Sequence, residues 1–136
     1  MFFKPNMRAA IEEGCKTATR RIWKRPHVKV GGTYGVRKGG MYSKEIYFKI
    51  KVLYVYKQKL GDMTEEDAMA EGFKPRAGIT ALWFFMNYWK SELKRDWNPS
   101  QEVYVISFEI LRENQVRKSL FDTALCAGRS ISEKPL

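Results

Sequence analysis

Two stretches in which apolar and polar side chains alternate constrain the fold most strongly. In residues 45–56, Phe48, Ile50 and Val52 alternate with lysines. Residues 104–110 repeat the pattern, with large apolar side chains at every even position. Because successive side chains of a strand point to opposite faces of a sheet, both stretches predict strands with one face on the core.

Short helices are predicted between the strands. One lies between Asn6, which is expected to cap it, and Gly14, which is expected to end it. Another starts at Thr64 with a capping-box pattern and ends near Gly72, and residues 78–95 form a longer helix with an aromatic face. The sequence therefore predicts the α+β class, as a small, mostly antiparallel β-barrel decorated by two to four helices.

The length of 136 residues corresponds to one domain. Residues 1–111 are expected to form it, and residues 112–136 a C-terminal extension with one short helix and a frayed tail. The longest apolar run, residues 81–86, is too short to span a membrane, and the N-terminus lacks a signal-peptide pattern. Cys15 and Cys126 are expected to be free thiols, with a disulfide between them as the alternative. A cytoplasmic protein without membrane association is expected.

The charge of the chain is strongly asymmetric. The formal net charge is +10; residues 1–60 hold 15 Lys and Arg against 3 acids, and residues 61–136 hold 10 against 12. A basic half of this kind favours an anionic partner such as nucleic acid or a nucleotide, although single lysines on strand faces are commonly just solvated.

Several common kinds of catalytic site are not supported. The single histidine, His27, has no cluster of metal ligands around it in the sequence, and no nucleophile-elbow motif is present. The pairs Gly31–Gly32 and Gly39–Gly40 lack the phosphate-loop pattern and predict hairpin turns. No metal and no cofactor are expected.

A dense polar motif follows the first predicted helix, in residues 14–21. Its lysine, threonine and arginine side chains fit either a solvated basic strand edge or a polar pocket for an anion. In a regular strand Lys16 and Thr19 would point to opposite faces, so a shared pocket requires irregular backbone after Gly14.

This motif and its surroundings resemble the ASCH domain family of the PUA-like β-barrel superfamily. The family's G-x-K-x-x-T-x-R motif is matched by Gly14, Lys16, Thr19 and Arg21. Further family landmarks follow in order: a Gly-Gly turn and strand (31–37), a long strand (46–56), an E-G-F element (71–73), an aromatic helix (82–89) and a closing strand (103–111). The resemblance covers residues 2–111.

The resemblance implies one of two functions. Some members are small amidohydrolases that remove the acyl group from N4-acetylcytidine and related cytosine derivatives, with a catalytic set that Lys16, Thr19 and Glu71 match. The side chains expected to bind the substrate are Arg21, Thr17, Arg20, Tyr34 and Phe73. Other members resemble RNA-binding modules, with ribonuclease activity in one branch, and here the basic N-terminal half would contact the RNA.

The sequence leaves the catalytic roles open. A threonine hydroxyl such as that of Thr19 needs a base to become a nucleophile, and Lys16 could act as that base if its pKa were lowered. Alternatively, a charged Lys16 stabilises the oxyanion while Glu71 is the base or carries a proton to the leaving amine. The amidohydrolase is the first hypothesis, and the RNA-binding module is the alternative.

Overall fold

The computed structural model describes residues 1–38 and 45–111 of the chain. The helices are α1 (Pro5–Glu12), α2 (Glu65–Ala70) and α3 (Ala81–Ser91), with a short 3₁₀ turn at Leu60–Asp62. The strands are β1 (Ala18–Arg21), β2 (Thr33–Arg37), β3 (Ile46–Lys59) and β4 (Glu102–Leu111). The predicted turn at Gly39–Gly40 and the predicted C-terminal helix lie outside the described residues.

The four strands form one antiparallel sheet in the order β1-β4-β3-β2. The two outer strands, β1 and β2, do not pair with each other, so the sheet of the described residues is open rather than closed into a barrel. The long strand β3 pairs with both β2 and β4, and a register irregularity between Val52 and Tyr54 interrupts its pairing with β4. The predicted α+β class is confirmed, with three α-helices in the described part of the chain.

Both faces of the sheet are covered, and β4 contributes to the core on each. Ile106 and Phe108 pack with α1 on one face, while Val103 and Val105 pack with α2 and α3 on the other. The expectation that β4 has only one buried face is therefore wrong over its first half. The reason is that helices cover both sides there, which an alternation pattern alone does not reveal.

The first helix begins two residues earlier than the capping pattern suggests. Lys4 is the N-cap residue and gives no side-chain cap, and Pro5 occupies the first turn, where its fixed φ suits a helix and its missing N–H is not needed. The prediction of Asn6 as the cap is therefore wrong. Gly14, with φ of 84°, follows the helix end, as predicted.

The predicted start of α2 is confirmed, and the first residue of α2 also contacts the start of α3. Thr64 and Asp67 form the predicted capping box. The Glu65 carboxylate accepts hydrogen bonds from the backbone N–H groups of Ala81 and Leu82, at 2.8 and 3.0 Å. A carboxylate at a helix N-terminus is stabilised by the helix dipole, so this contact ties α3 to α2.

Three further expectations concern cysteine, membrane and metal. Cys15 is buried and disulfide-bonded, so the free-thiol prediction is wrong for it, and Cys126 lies outside the described residues. In residues 1–38 and 45–111 no helix has the length and apolar character needed to cross a membrane. The same residues hold no cluster of three or more side chains suited to a metal ion.

Candidate functional site

A cavity of about 250 Å³ lies between the N-terminal segment, β1 and the second half of α3. The three predicted catalytic residues, Lys16, Thr19 and Glu71, all line it. Arg20 and Arg21, which were predicted to bind the substrate, line it as well. The structure thus brings five of the eight predicted site residues to one cavity.

The irregular backbone after α1 allows the side chains of Lys16 and Thr19 to face the same cavity. Gly14 adopts a left-handed conformation, and the Lys16 N–H still bonds the Ala10 carbonyl at 3.1 Å. Strand β1 begins only at Ala18, so Lys16 precedes the regular alternation. The irregular backbone that a shared pocket requires is present, and both side chains reach the cavity.

A buried ionic cluster forms part of the cavity wall. Lys16 Nζ lies 2.8 Å from Glu71 Oε1, and Arg20 Nη1 lies 3.0 Å from Glu71 Oε2. The side chains are 2% exposed for Lys16, 5% for Glu71 and 1% for Arg20. Arg20 also lies 3.4 Å from the more exposed Asp67 carboxylate. Each oxygen of the Glu71 carboxylate is therefore held by one cation.

The contacts of Lys16 are those of a charged ammonium group. Its Nζ donates to the Ala18 carbonyl at 2.9 Å, to the Glu71 carbonyl at 3.1 Å and to Glu71 Oε1. An ammonium group has three N–H donors and no acceptor, which matches these three partners. Burial lowers the pKa of Lys16, and the adjacent Glu71 carboxylate opposes that shift.

The end of α2 places Glu71 at the cavity. Glu71 is the C-cap residue of the helix, and Gly72 follows it with φ of 104°. A side chain on Gly72 would meet Lys16 Cβ at 3.2 Å, so only glycine allows this close approach without strain. The Thr17 N–H bonds the Ala70 carbonyl at 2.8 Å, which fixes the helix end against the segment that carries Lys16.

Thr19 differs from its charged neighbours because its hydroxyl has no hydrogen-bond partner among the described residues. The residue is buried at 6% exposure on the edge strand β1 and lines the cavity. The side chain forms no hydrogen bond with any part of the chain that the structure describes. A hydroxyl without a structural partner at a cavity wall is available to a ligand.

Arg21 is half-buried, and its guanidinium group is incompletely hydrogen-bonded within the described residues. Its Nη2 donates to the Phe2 carbonyl at 2.9 Å, and its guanidinium lies 5.0 Å from the centre of the Phe3 ring. Its Nε is buried without a hydrogen-bond partner among the described residues. Burial lowers the pKa of Arg21, and the Glu71 carboxylate opposes the shift.

Aromatic side chains form much of the remaining wall. Phe85 and Trp89 are nearly fully buried, with ring centres 5.9 Å apart, while Tyr88 and Trp23 are half-buried. Burial raises the pKa of Tyr88, and the negative charge of Glu71 adds to the shift. Flat apolar walls with a few polar groups are typical of sites for small planar ligands.

Two basic cavity residues, Lys4 and Arg95, were not predicted from the sequence. They are separated by most of the described chain and belong to no motif. The aromatic pattern of residues 78–95 was the available signal for this wall, since the helix both packs in the core and faces the cavity.

Three predicted substrate-binding residues lie outside the cavity lining. Thr17 is exposed. The Tyr34 hydroxyl accepts a hydrogen bond from the Lys29 N–H at 2.8 Å on a different part of the molecule. Phe73 packs edge-on against Phe85, with ring centres 5.7 Å apart. None of these three side chains lines the cavity together with Lys16 and Thr19.

Comparison with known proteins identifies the family. The family model described as the ASCH domain matches residues 1–112. The chain belongs to the ASCH domain family. No curated protein matches the sequence significantly.

Two solved structures share the ASCH fold of this chain. The ASCH domain from Lactobacillus crispatus JV V101 is 20% identical, with a TM-score of 0.52, covering 77% of this chain and 70% of that one. Protein EF3133 from Enterococcus faecalis V583, of the family DUF984, is 21% identical, with a TM-score of 0.55, covering 76% of this chain and 67% of that one. At these identities the likeness concerns the fold alone.

Proposed function

We propose that this ASCH domain is an amidohydrolase that removes the acyl group from N4-acylated cytosine nucleosides such as N4-acetylcytidine. The observation that carries the proposal is that the Thr19 hydroxyl, which has no partner among the described residues, lines one cavity with the buried Lys16–Glu71 pair. A hydroxyl nucleophile and a carboxylate that can accept its proton are elements that acyl transfer requires.

In the proposed reaction Thr19 is the nucleophile. Its hydroxyl oxygen bonds to the acyl carbon, and its proton passes to the Glu71 carboxylate. The carbon–nitrogen bond then breaks, the proton moves to the departing cytosine amine, and the acyl group remains on Thr19 as an ester. Water, deprotonated by Glu71, hydrolyses that ester and restores the hydroxyl.

The contacts of the ionic cluster support these roles. Both Glu71 oxygens hold a cation, but each carboxylate oxygen has a second lone pair that can accept a proton. Lys16 has all three N–H donors engaged, so it is better suited to hold Glu71 in place than to act as a nucleophile or base. Arg21 lines the same cavity and adds to its positive charge.

RNA binding is the second candidate function, and the charge of the chain favours it. A neutral nucleoside does not require a basic half, whereas a phosphate backbone does. If RNA is the partner, affinity is expected to fall steeply with salt, and the loss on mutation is expected to spread over several lysines and arginines.

The decisive experiment compares Thr19→Val with wild type in the hydrolysis of N4-acetylcytidine, followed by ultraviolet absorbance. Because the hydroxyl has no hydrogen bond within the described part of the chain, Thr19→Val is expected to keep the fold and to lose turnover by roughly 10³-fold or more, as when other hydrolases lose their nucleophile. Thr19→Ser is expected to retain part of the activity.

Thr17→Val is the matched control, because Thr17 is an exposed threonine two residues away that does not line the cavity. It is expected to leave turnover within about two-fold of wild type. Full activity in Thr19→Val would eliminate Thr19 as the nucleophile. No turnover by the wild type on any N4-acylcytosine would reject the amidohydrolase and favour RNA binding.

A further inference from the structure

The basic residues of the cavity fall into a buried set and an exposed set. Lys16 and Arg20 are almost fully buried and are both paired with Glu71. Lys4, Arg21 and Arg95 are more exposed and form the rim. Among the described residues of the lining, Glu71 is the only acidic side chain, against five basic ones.

The charge of the rim is poorly compensated. Within the described chain, Arg21 and Arg95 have no carboxylate within the 4.0 Å of an ion pair. Lys4 lies 3.8 Å from a Glu92 carboxylate that is 61% exposed, a distance at which an exposed pair contributes little. Within the described residues the positive charge of the rim is therefore only partly offset, by Glu92 beside Lys4 and by the longer-range influence of Glu71 on Arg21.

The position of Arg95 is fixed by the end of α3. Lys94 adopts a left-handed conformation with φ of 52°, which is unfavourable for a residue with a side chain. The Arg95 N–H then bonds the Trp89 carbonyl at 3.1 Å, and its guanidinium lies 5.7 Å from the Trp89 ring centre. The strained turn at Lys94 thus places the Arg95 side chain at the rim.

We propose that the ligand of this cavity carries a phosphate, held at the rim by Arg21, Arg95 and Lys4. The substrate class is then a cytosine nucleotide, either free or at the end of an RNA chain, rather than a neutral nucleoside. The assignment of cytosine rests on the proposed function; the assignment of phosphate rests on the rim alone. Guanidinium groups suit phosphate because their planar N–H donors match its oxygens.

The size of the cavity suits a ligand whose base is enclosed and whose phosphate stays at the rim. Its volume of about 250 Å³ lies just below the range of roughly 300–1,000 Å³ typical of small-molecule sites. A base and part of a ribose can occupy the aromatic interior, while a phosphate remains at the solvent-exposed rim beside Arg95.

Equilibrium binding tests the proposal without requiring turnover. Cytidine and its 5′- and 3′-monophosphates are titrated by calorimetry into wild type, Arg95→Ala and the control Lys90→Ala, which removes one exposed positive charge of α3 outside the cavity. Wild type is expected to bind one monophosphate about 10-fold or more tightly than cytidine, as expected for hydrogen bonds to a charged group. Arg95→Ala is expected to lose most of that preference, and Lys90→Ala to keep it.

Each outcome is decisive. Equal binding of cytidine and both monophosphates, or equal effects of Arg95→Ala and Lys90→Ala, would overturn the phosphate site. An Arg95-dependent preference without any hydrolysis of acylated cytosine would support the site and reject the proposed enzyme. A short cytosine RNA with a terminal phosphate that binds more tightly than the mononucleotide would assign the phosphate to an RNA end, and equal binding would assign it to the free nucleotide.

Discussion

Glu71→Gln perturbs the buried ionic cluster most directly. The substitution keeps the size of the side chain but removes the negative charge that pairs with both Lys16 and Arg20. Removing one partner of a buried pair costs about 3–5 kcal/mol, because the remaining charge stays buried without compensation. Here two cations are affected, which places the expected loss in that range rather than in that of an exposed pair.

Two features of the structure limit the loss. Asp67 still lies 3.4 Å from Arg20, and the pKa of Lys16 is already lowered by burial, so Lys16 can release its proton when Glu71 is absent. We therefore expect about 3 kcal/mol, the lower end of the range, out of a total of roughly 5–15 kcal/mol for a domain. The melting temperature should fall by about 10–15 °C.

Urea unfolding followed by tryptophan fluorescence measures this loss. The control is Glu66→Gln, which removes an exposed charge from the same helix and should change stability by no more than about 0.5 kcal/mol. The double variant Lys16→Met with Glu71→Gln should be less destabilised than the sum of the single variants by about 1 kcal/mol or more. A loss below about 1 kcal/mol for Glu71→Gln, or additive single effects, would refute the buried pair.

Three further substitutions test other parts of the site. Gly72→Ala should lower the free energy of unfolding in urea by about 1–3 kcal/mol, because φ is positive there and the added methyl group would meet Lys16. Gly78→Ala also has a positive φ, of 78°, but open space around it, so its loss should be smaller. Equal losses in the two variants would contradict the contact with Lys16. Thr64→Ala removes the capping box and should lower the free energy of unfolding by about 1 kcal/mol, with the m-value unchanged. An unchanged midpoint of urea unfolding would argue against the cap. For Asp67, burial raises the pKa, but hydrogen bonds from Thr64 and Gln58 and the Arg20 charge outweigh it, so the pKa of the folded state lies below that of an unfolded aspartate. Its stabilisation is present above the unfolded pKa and is lost as pH falls through the lower folded pKa, so the stability gap between wild type and Asp67→Asn should narrow below about pH 4.

Local patterns predicted the elements but not what covers them. Alternation located β3 and β4, since side-chain direction in a strand depends only on neighbouring residues. It could not show that Val103 and Val105 lie under α2 and α3, because that depends on how distant helices pack. Likewise, Asn6 is a good cap by composition, but Pro5 beside it fixed the helix start.

The candidate site shows the same division between local and distant information. Lys16 and Thr19 were identified from a motif of eight residues. Glu71, 55 positions beyond Lys16, was reached only through the family resemblance, because no periodicity relates the two. Arg95 was missed, since its approach to Arg21 depends on the turn at Lys94 and on the packing of α3.

The ionic cluster is difficult to explain by stability alone. Apolar side chains of similar volume often replace a buried ion pair with no loss of stability, or with a gain. Close to the ionic cluster, α2 already has apolar contacts around Ala68 and Phe73. An apolar wall, however, could not hold a carboxylate in the same cavity as the Thr19 hydroxyl. The three buried charges therefore support the proposed ligand site, which the stability of the fold alone does not require.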